Sequence, residues 1–111
     1  MKRKFMNSKT YNIIRNAIVN KKNIIAIYQG YLREMCPHII GWKNGREQAL
    51  FYQFGGSSSD GPIISDSPNN WRCIPIDGLS DVIAKEGVWH TSTNYANPQS
   101  CVDEIDLKVE L

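Results

Sequence analysis

Residues 31–54 read YLREMCPHIIGWKNGREQALFYQF, and this stretch decides the fold. Two extended runs rich in β-branched and aromatic residues, 31–42 and 46–54, flank Lys43-Asn44-Gly45. Asn-Gly between two such runs is the strongest short signal for a β-hairpin, because both residues accept positive φ angles. The stretch therefore predicts two antiparallel strands joined by a tight turn.

Shorter runs on either side of this hairpin predict further strands. Residues 24–29 and 71–76 are rich in β-branched and aromatic side chains. At 105–111 apolar and charged residues alternate, which predicts a half-buried last strand. Residues 78–88 fit a short strand and a turn of helix equally well.

One helix is predicted ahead of the strands, at residues 8–22. Ser8 can cap it, and four apolar residues share one face at spacings of three and four: Tyr11, Ile14, Ala17 and Ile18. Glycine and serine at 55–62 predict a flexible loop that runs to residue 70. A helix followed by five or so short strands indicates a mainly β, α+β fold, in which residues 23–111 form a small, strongly bent sheet or barrel.

The composition bounds the class of protein. A chain of 111 residues, 41% hydrophobic and 22% charged, is typical of one globular domain, residues 1–111, and not of a disordered or fibrous protein. No apolar run is long enough to cross a membrane, and no apolar h-region follows the basic first residues. We therefore expect a cytoplasmic protein without a membrane partner.

Charge is unevenly distributed along the chain. The first twenty-two residues carry seven basic side chains and no acid, whereas the last stretch is acidic. This asymmetry has two interpretations. In the first, the two ends of the chain lie close together, within one molecule or across a dimer. In the second, a basic N-terminal arm binds nucleic acid.

Cysteine and histidine suggest chemistry at CPH, residues 36–38. The chain has three cysteines, Cys36, Cys73 and Cys101. Because this number is odd and no export signal is recognised, free thiols are favoured over a disulfide framework. Structural zinc prefers tight pairs such as C-x-x-C, and none occurs, so no metal is expected. Pro37 removes a strand donor and often marks a bulge where side-chain alternation slips. Cys36 is then a buried thiol.

A catalytic role is not indicated by local sequence. Cys36 or Cys73 can be grouped on paper with His38 or His90 and an acid as nucleophile, base and orienter. No nucleophile elbow, zinc-protease or phosphate-loop motif supports such a grouping. We expect a non-catalytic protein without a cofactor, and a small thiol- or metal-dependent enzyme is the lesser alternative.

Aromatic and basic residues recur on the predicted strands and suggest a binding surface. They are Tyr28, Arg33, Trp42, Tyr52, Trp71 and Arg72. Such residues can stack on bases and pair with phosphates, although for any one of them core packing is the commoner role. Arg33 and Arg72 differ because each lies near the start of a predicted strand, where a guanidinium can clamp a phosphate or carboxylate.

In order along the chain, several short signals resemble the WYL domain. They are IIAIYQG at 24–30, Arg33-x-x-x-Pro37, QALFYQF at 48–54 and R-x-I-x-I-D-x-L at 72–79. The resemblance implies an SH3-like or Sm-like barrel of five to six strands that senses a nucleic acid or nucleotide. The tryptophan-tyrosine-leucine triplet itself is absent, and no helix-turn-helix has room in this chain.

These observations lead to one functional expectation and one alternative. The expected function is ligand sensing, or nucleic-acid or nucleotide binding, by an accessory or regulatory subunit. The ligand-binding residues would be Arg33, Arg72, Tyr28, Tyr52 and His38. The alternative is a protein interaction module, either a homodimer or a subunit that docks to a larger partner.

Overall fold

A computed structural model describes residues 7–64, 67–92 and 99–111 of the chain. Its elements follow in this order: α1 (Lys9–Asn20), β1 (Asn23–Tyr28), β2 (Tyr31–Lys43), β3 (Arg46–Ser58), β4 (Gly61–Pro62), β5 (Trp71–Pro75), a 3-10 turn (Ile76–Gly78), β6 (Leu79–Lys85) and β7 (Glu104–Lys108). The segment at 78–88, which the sequence left open, is therefore mainly strand. The basic residues at 1–6 lie outside the described ranges.

The strands form one antiparallel sheet that is not closed into a barrel. Its order is β4-β3-β2-β1-β6, while β5 pairs with β3 and β7 pairs with β2. The mainly β, α+β prediction is confirmed, but the prediction of a closed barrel is wrong. β5 and β7 branch from the two longest strands, so the described strand pairs do not form a ring.

Two tight turns set the register of the central strands. Asn44 and Gly45 have φ angles of 52° and 79°, and Gln29 and Gly30 have 53° and 81°, as a type I′ hairpin requires. The predicted hairpin is confirmed. β3 continues through Ser58, where it pairs with β4, so the predicted loop beginning at residue 55 is wrong for this part of the chain.

Helix α1 begins and ends with side-chain and backbone caps. The Ser8 Oγ accepts a hydrogen bond from the Tyr11 backbone N–H at 3.1 Å, which confirms the predicted cap. Lys21 adopts a left-handed conformation with φ 50°, so the helix ends at Asn20, two residues before the predicted end. Among the described residues, no helix has the length and apolar character needed to cross a membrane.

The helix covers one face of the sheet, which we call the helix face. The main core lies there and comprises Tyr11, Ile14, Ala17, Ile18, Ile24, Ala26, Met35, Ile40, Ala49, Phe51, Ile74, Ile76 and Val109. A smaller cluster lies on the opposite, outer face and comprises Ile39, Leu50, Cys101 and Val102, with Trp71 packed against it. The two clusters share strands β2 and β3 because side chains alternate between faces.

A bulge in β2 changes which side chains face the helix. Pro37 is opposite Phe51 and Ile39 is opposite Leu50, so His38 is an extra residue in β2. As a result Met35 and Ile40 both reach the main core although their spacing is odd. The predicted slip beside Pro37 is confirmed.

The last strand departs from the predicted alternation. Ile40 is opposite Leu107 and Gly41 is opposite Ile105, so Asp106 is an extra residue of β7. Its carboxylate accepts hydrogen bonds from the Tyr11 hydroxyl at 2.6 Å and the Arg15 Nε at 2.9 Å. The basic helix and the acidic last strand are therefore in contact within one chain.

Two of the three cysteines form a disulfide, and the prediction of free thiols is wrong for them. Cys73 on β5 and Cys101 before β7 are bonded, with their Cα atoms 5.6 Å apart. Both cysteines lie next to Leu50 of β3 on the outer face. The number of cysteines in the sequence does not reveal that these two are close in space. Cys36 is a free, buried thiol, as predicted.

Gly41 is required for the docking of β7. A Cβ at this position would overlap the Glu104 carbonyl oxygen and lie 2.8 Å from the Val102 Cγ1. We expect Gly41→Ala to lower the free energy of unfolding by about 2–4 kcal/mol, because backbone has to move. Urea denaturation measures the change.

Gly55→Ala is the matched control. Its Cβ would meet the movable carboxylate of Glu34 at 2.9 Å, so a loss below about 1 kcal/mol is expected. Equal losses for the two variants would show that the close approach of β7 does not limit stability.

Candidate functional site

The sheet separates the five predicted ligand residues into two groups. Arg33 pairs with Ala26, and Arg72 pairs with Phe51; both partners belong to the main core, so the two arginines and Tyr28 lie on the helix face. Tyr52 and His38 both contact Trp71 on the outer face. One compact site can therefore contain Tyr28, Arg33 and Arg72, but not all five residues.

Arg33 is a buried cation for which the described part of the chain offers no carboxylate partner. The residue is 3% exposed, and among the described residues it forms no ion pair. Nη1 donates to the Gln53 Oε1 at 3.2 Å and Nη2 to the Tyr28 carbonyl at 3.2 Å, whereas the buried Nε has no hydrogen-bond partner. Burying a charge without a counter-charge is unfavourable, so the position of this guanidinium is energetically costly among the described residues.

Two tyrosine rings border the Arg33 guanidinium. Its central carbon lies 5.2 Å from the centre of the Tyr28 ring and 5.7 Å from that of Tyr31. The two tyrosines are directly opposite each other across the first hairpin, and Tyr31 is 37% exposed. Ring faces attract a cation and also offer a surface on which a planar group can stack.

Arg72 adds a second positive charge near Arg33. Burial lowers the pKa of Arg33, and the neighbouring charge of Arg72 lowers it further. Arg72 Nη1 donates to the backbone carbonyls of Asn69 at 2.8 Å and Trp71 at 3.1 Å, which fixes one edge of its guanidinium. Two arginines that repel each other create a local positive potential that an anion would relieve.

Gln53 positions Arg33 and was missed by sequence reasoning. It is fully buried, its Oε1 accepts from Arg33, and its Nε2 donates to the carbonyls of Gly55 at 2.9 Å and Ser57 at 3.0 Å. The position of this glutamine within an apolar strand could have indicated a buried side chain that binds another polar group. Tyr31 was missed as well, although a two-residue turn places it opposite Tyr28.

His38 on the outer face is held as a neutral imidazole. Its Nδ1 lies 2.9 Å from the Cys36 carbonyl oxygen, and its Nε2 lies 2.9 Å from the Thr91 Oγ1. A carbonyl only accepts, so Nδ1 carries the proton and Nε2 accepts from the threonine hydroxyl. Burial lowers the pKa of His38 to about 4.

Aromatic rings enclose His38 and leave it a packing role. The ring centres of Trp71 and Trp89 lie 4.8 and 5.0 Å from that of His38, and Tyr52 donates its hydroxyl to the Ser67 carbonyl at 2.8 Å. Sequence reasoning did not single out Trp89. The cluster resembles a small core more than an open pocket.

Cys36 is unsuited to nucleophilic chemistry. Its sulfur accepts from the His90 backbone N–H at 3.2 Å and donates to the Asn23 Oδ1 at 3.3 Å. Burial raises the pKa of the Cys36 thiol to about 11, so the reactive thiolate is scarce at neutral pH. Within residues 7–64, 67–92 and 99–111, no three His, Cys, Asp or Glu side chains are grouped to hold a metal ion.

The pKa of His38 predicts acid sensitivity. Between pH 6.5 and about 4 the unfolded chain binds a proton that the folded protein excludes, so stability falls as the pH falls through this window. We expect His38 to account for about 2–3 kcal/mol of the loss between pH 7 and 4.5. Urea unfolding at both pH values measures it.

The His38→Asn variant isolates this contribution. Asparagine retains a donor for the Cys36 carbonyl but does not titrate, so the stability of the variant should depend less on pH than that of the wild type. An unchanged pH dependence in the variant, or an imidazole that titrates near 6.5 by NMR, would contradict the assignment.

Comparisons with known proteins do not identify a family. The chain matches no protein-family model, no curated protein and no solved structure.

Proposed function

We propose that this protein is a non-catalytic module that binds an anionic ligand at Arg33 and Arg72. The main supporting observation is the buried Arg33 guanidinium, which has no carboxylate partner within residues 7–64, 67–92 and 99–111 and whose Nε has no hydrogen-bond partner there. Removing a cation from water is unfavourable by several kcal/mol unless a counter-charge compensates for it. A bound anion would supply that charge.

A ligand with a phosphate and a flat ring suits the groups around Arg33. Guanidinium groups bind phosphate through paired hydrogen bonds, and the half-exposed ring of Tyr31 offers a stacking surface beside them. The sequence resemblance to WYL domains suggests the same class of ligand, a nucleotide or single-stranded nucleic acid. An accessory or regulatory role in the cytoplasm is part of the proposal.

Removing the Arg72 charge tests the site. We expect wild-type protein to bind pyrophosphate, adenosine monophosphate or a short single-stranded oligonucleotide, and Arg72→Gln to bind the same probe about tenfold to a hundredfold more weakly. Isothermal titration calorimetry at low and moderate salt measures the affinities. If pyrophosphate binds as tightly as the nucleotide, the ring is not recognised.

Arg46→Gln is the matched control for loss of charge. Arg46 is exposed at the β2–β3 turn and is opposite Lys43, far along β3 from Gly56, the residue opposite Arg33. It should retain wild-type affinity. Equal weakening by both arginine variants would indicate a general charge effect, and no binding of any probe by the wild type would refute the proposal.

A substitution at Arg33 separates ligand binding from stability. Methionine fills the same stem volume without a charge, so Arg33→Met should abolish anion binding while changing the free energy of unfolding by less than about 1 kcal/mol. Chemical denaturation without ligand measures the stability. A loss of several kcal/mol would instead assign Arg33 a structural role through the Tyr28 carbonyl and Gln53.

Self-association is a second candidate, favoured by one surface. Ile25 is opposite Ile83 and Ile27 is opposite Leu32, and these four side chains form an apolar strip on the outer face. Leu32 and Ile83 are 53% and 57% exposed. Sedimentation over a range of protein concentrations tests for a second copy on this strip, and a monomer throughout would exclude it.

A further inference from the structure

The Cys73–Cys101 disulfide joins β5, a strand of the sheet, to a segment before β7 that covers part of the outer face. Cys101 and Val102 are buried against Ile39 and Leu50, and they form the second cluster. Cys73 lies on β5, opposite Leu50. The disulfide therefore ties the chain just before β7 to the edge of the sheet.

Hydrogen bonds and one ion pair also hold the covering segment: the Lys43 Nζ donates to the Ser100 carbonyl at 2.8 Å and to the Asp103 carboxylate at 3.3 Å. The Gln48 Nε2 donates to the Cys101 carbonyl at 2.6 Å, and the Asp103 N–H donates to the Trp42 carbonyl at 3.0 Å. The Gln99 side chain bonds both the N–H and the carbonyl of Val102, at 3.0 and 2.9 Å. These non-covalent contacts hold the segment against β2 and β3 and shape its turn, while the disulfide attaches it covalently to β5.

The two sulfur-bearing residues differ in access. Cys73 is exposed, whereas Cys101 is 7% exposed. We therefore expect an attacking thiolate to approach the disulfide from the Cys73 side, beside the Gln48 amide, which lies 3.3 Å from the Cys73 sulfur. The third cysteine does not compete, because Cys36 is fully buried and hydrogen-bonded to Asn23 and His90. One defined dithiol–disulfide pair results, without a neighbour that could rearrange it.

We propose that Cys73–Cys101 is a reversible redox latch, whose reduction by a dithiol releases the segment Cys101–Asp103 from the outer face while the rest of the sheet stays folded. This inference does not depend on the proposed anion site. Disulfides in cytoplasmic proteins are usually transient and redox-sensing, so the latch agrees with the compartment expected from the sequence.

The exchange is balanced in atoms and electrons. A thiolate of the dithiol attacks the Cys73 Sγ, the bond to Cys101 breaks, and Cys101 leaves as a thiolate that takes a proton from water. The second thiol of the reductant, as its thiolate, then attacks the mixed disulfide and releases the Cys73 thiolate, which is protonated in turn. Two electrons pass to the protein, and the dithiol becomes a disulfide.

Thiol counting tests the access step. The full chain is titrated with dithiothreitol without denaturant, and free thiols are alkylated and counted by mass spectrometry. We expect Cys73 and Cys101 to label in the reduced native protein, and Cys36 only after denaturation. A disulfide that resists dithiothreitol until the protein unfolds would overturn the proposal.

Hydrogen exchange tests the release step. On reduction the amides of Val102 and Asp103 should exchange about tenfold faster or more, while those of the β1–β2 hairpin stay unchanged. Unchanged exchange at Val102 would make the disulfide a static cross-link. Faster exchange throughout would make reduction a global destabilisation, and either result overturns the latch.

Two cysteine variants complete the test. Cys73→Ser should reproduce the exchange pattern of reduced protein without reductant, fast at Val102 and Asp103 and unchanged in the β1–β2 hairpin. Cys36→Ala is the control, because it keeps the disulfide and should show the oxidised exchange pattern. A Cys73→Ser protein or reduced wild type that does not fold would also refute the proposal, since a reversible latch requires a folded reduced state.

Discussion

Strand β2 shares one of its edges between two partners, and the rest of the molecule depends on this arrangement. β1 pairs with its first part, up to Met35, and β7 pairs with its second part, from Ile39. The other edge is paired with β3. Between the two partners, no strand in the described part of the chain pairs with residues 36–38 on that edge, so their polar groups form other contacts.

The contacts at this gap explain the unusual CPH sequence. The Val109 N–H donates to the His38 carbonyl at 2.8 Å, and the His90 N–H donates to the Cys36 sulfur. Pro37 has no N–H to satisfy, which suits a position between partner strands. The residues that first suggested a thiol–imidazole site therefore have a structural role at the gap between β1 and β7.

His38 and Arg33 show two outcomes of burying an ionisable side chain. The imidazole loses its proton and remains satisfied as a neutral group between the Cys36 carbonyl and Thr91. The guanidinium stays charged even with a lowered pKa, because arginine keeps its proton in proteins. Histidine can thus be part of a core as a neutral group, whereas a buried arginine keeps its charge and depends on hydrogen bonds such as those to Gln53 and the Tyr28 carbonyl.

Local patterns in the sequence predicted the elements well. The Ser8 cap, the four-residue helix stripe and the Asn44-Gly45 turn depend on neighbouring residues, and all three are present. Pairings between distant segments were not predictable, because they depend on how the strands and the helix pack in three dimensions. Examples are the disulfide, the contact of Asp106 with the helix, and the pairing of β5 with β3 and of β7 with β2. Arg33 and Arg72 were singled out from the sequence as candidate ligand residues, which stays a prediction, and the separation of Tyr52 and His38 from them required the register.

The extra residue in β2 also determines which face of the sheet each side chain in the first part of this strand occupies. Because side chains alternate with a period of two, deleting His38 would shift the register of residues 31–37 by one and turn each side chain to the other face. Arg33 would then face away from Arg72, and Met35 would leave the main core. A single-residue deletion at the bulge would thus be more damaging than most substitutions there, and a compensating insertion between positions 34 and 37 would restore the face of Arg33.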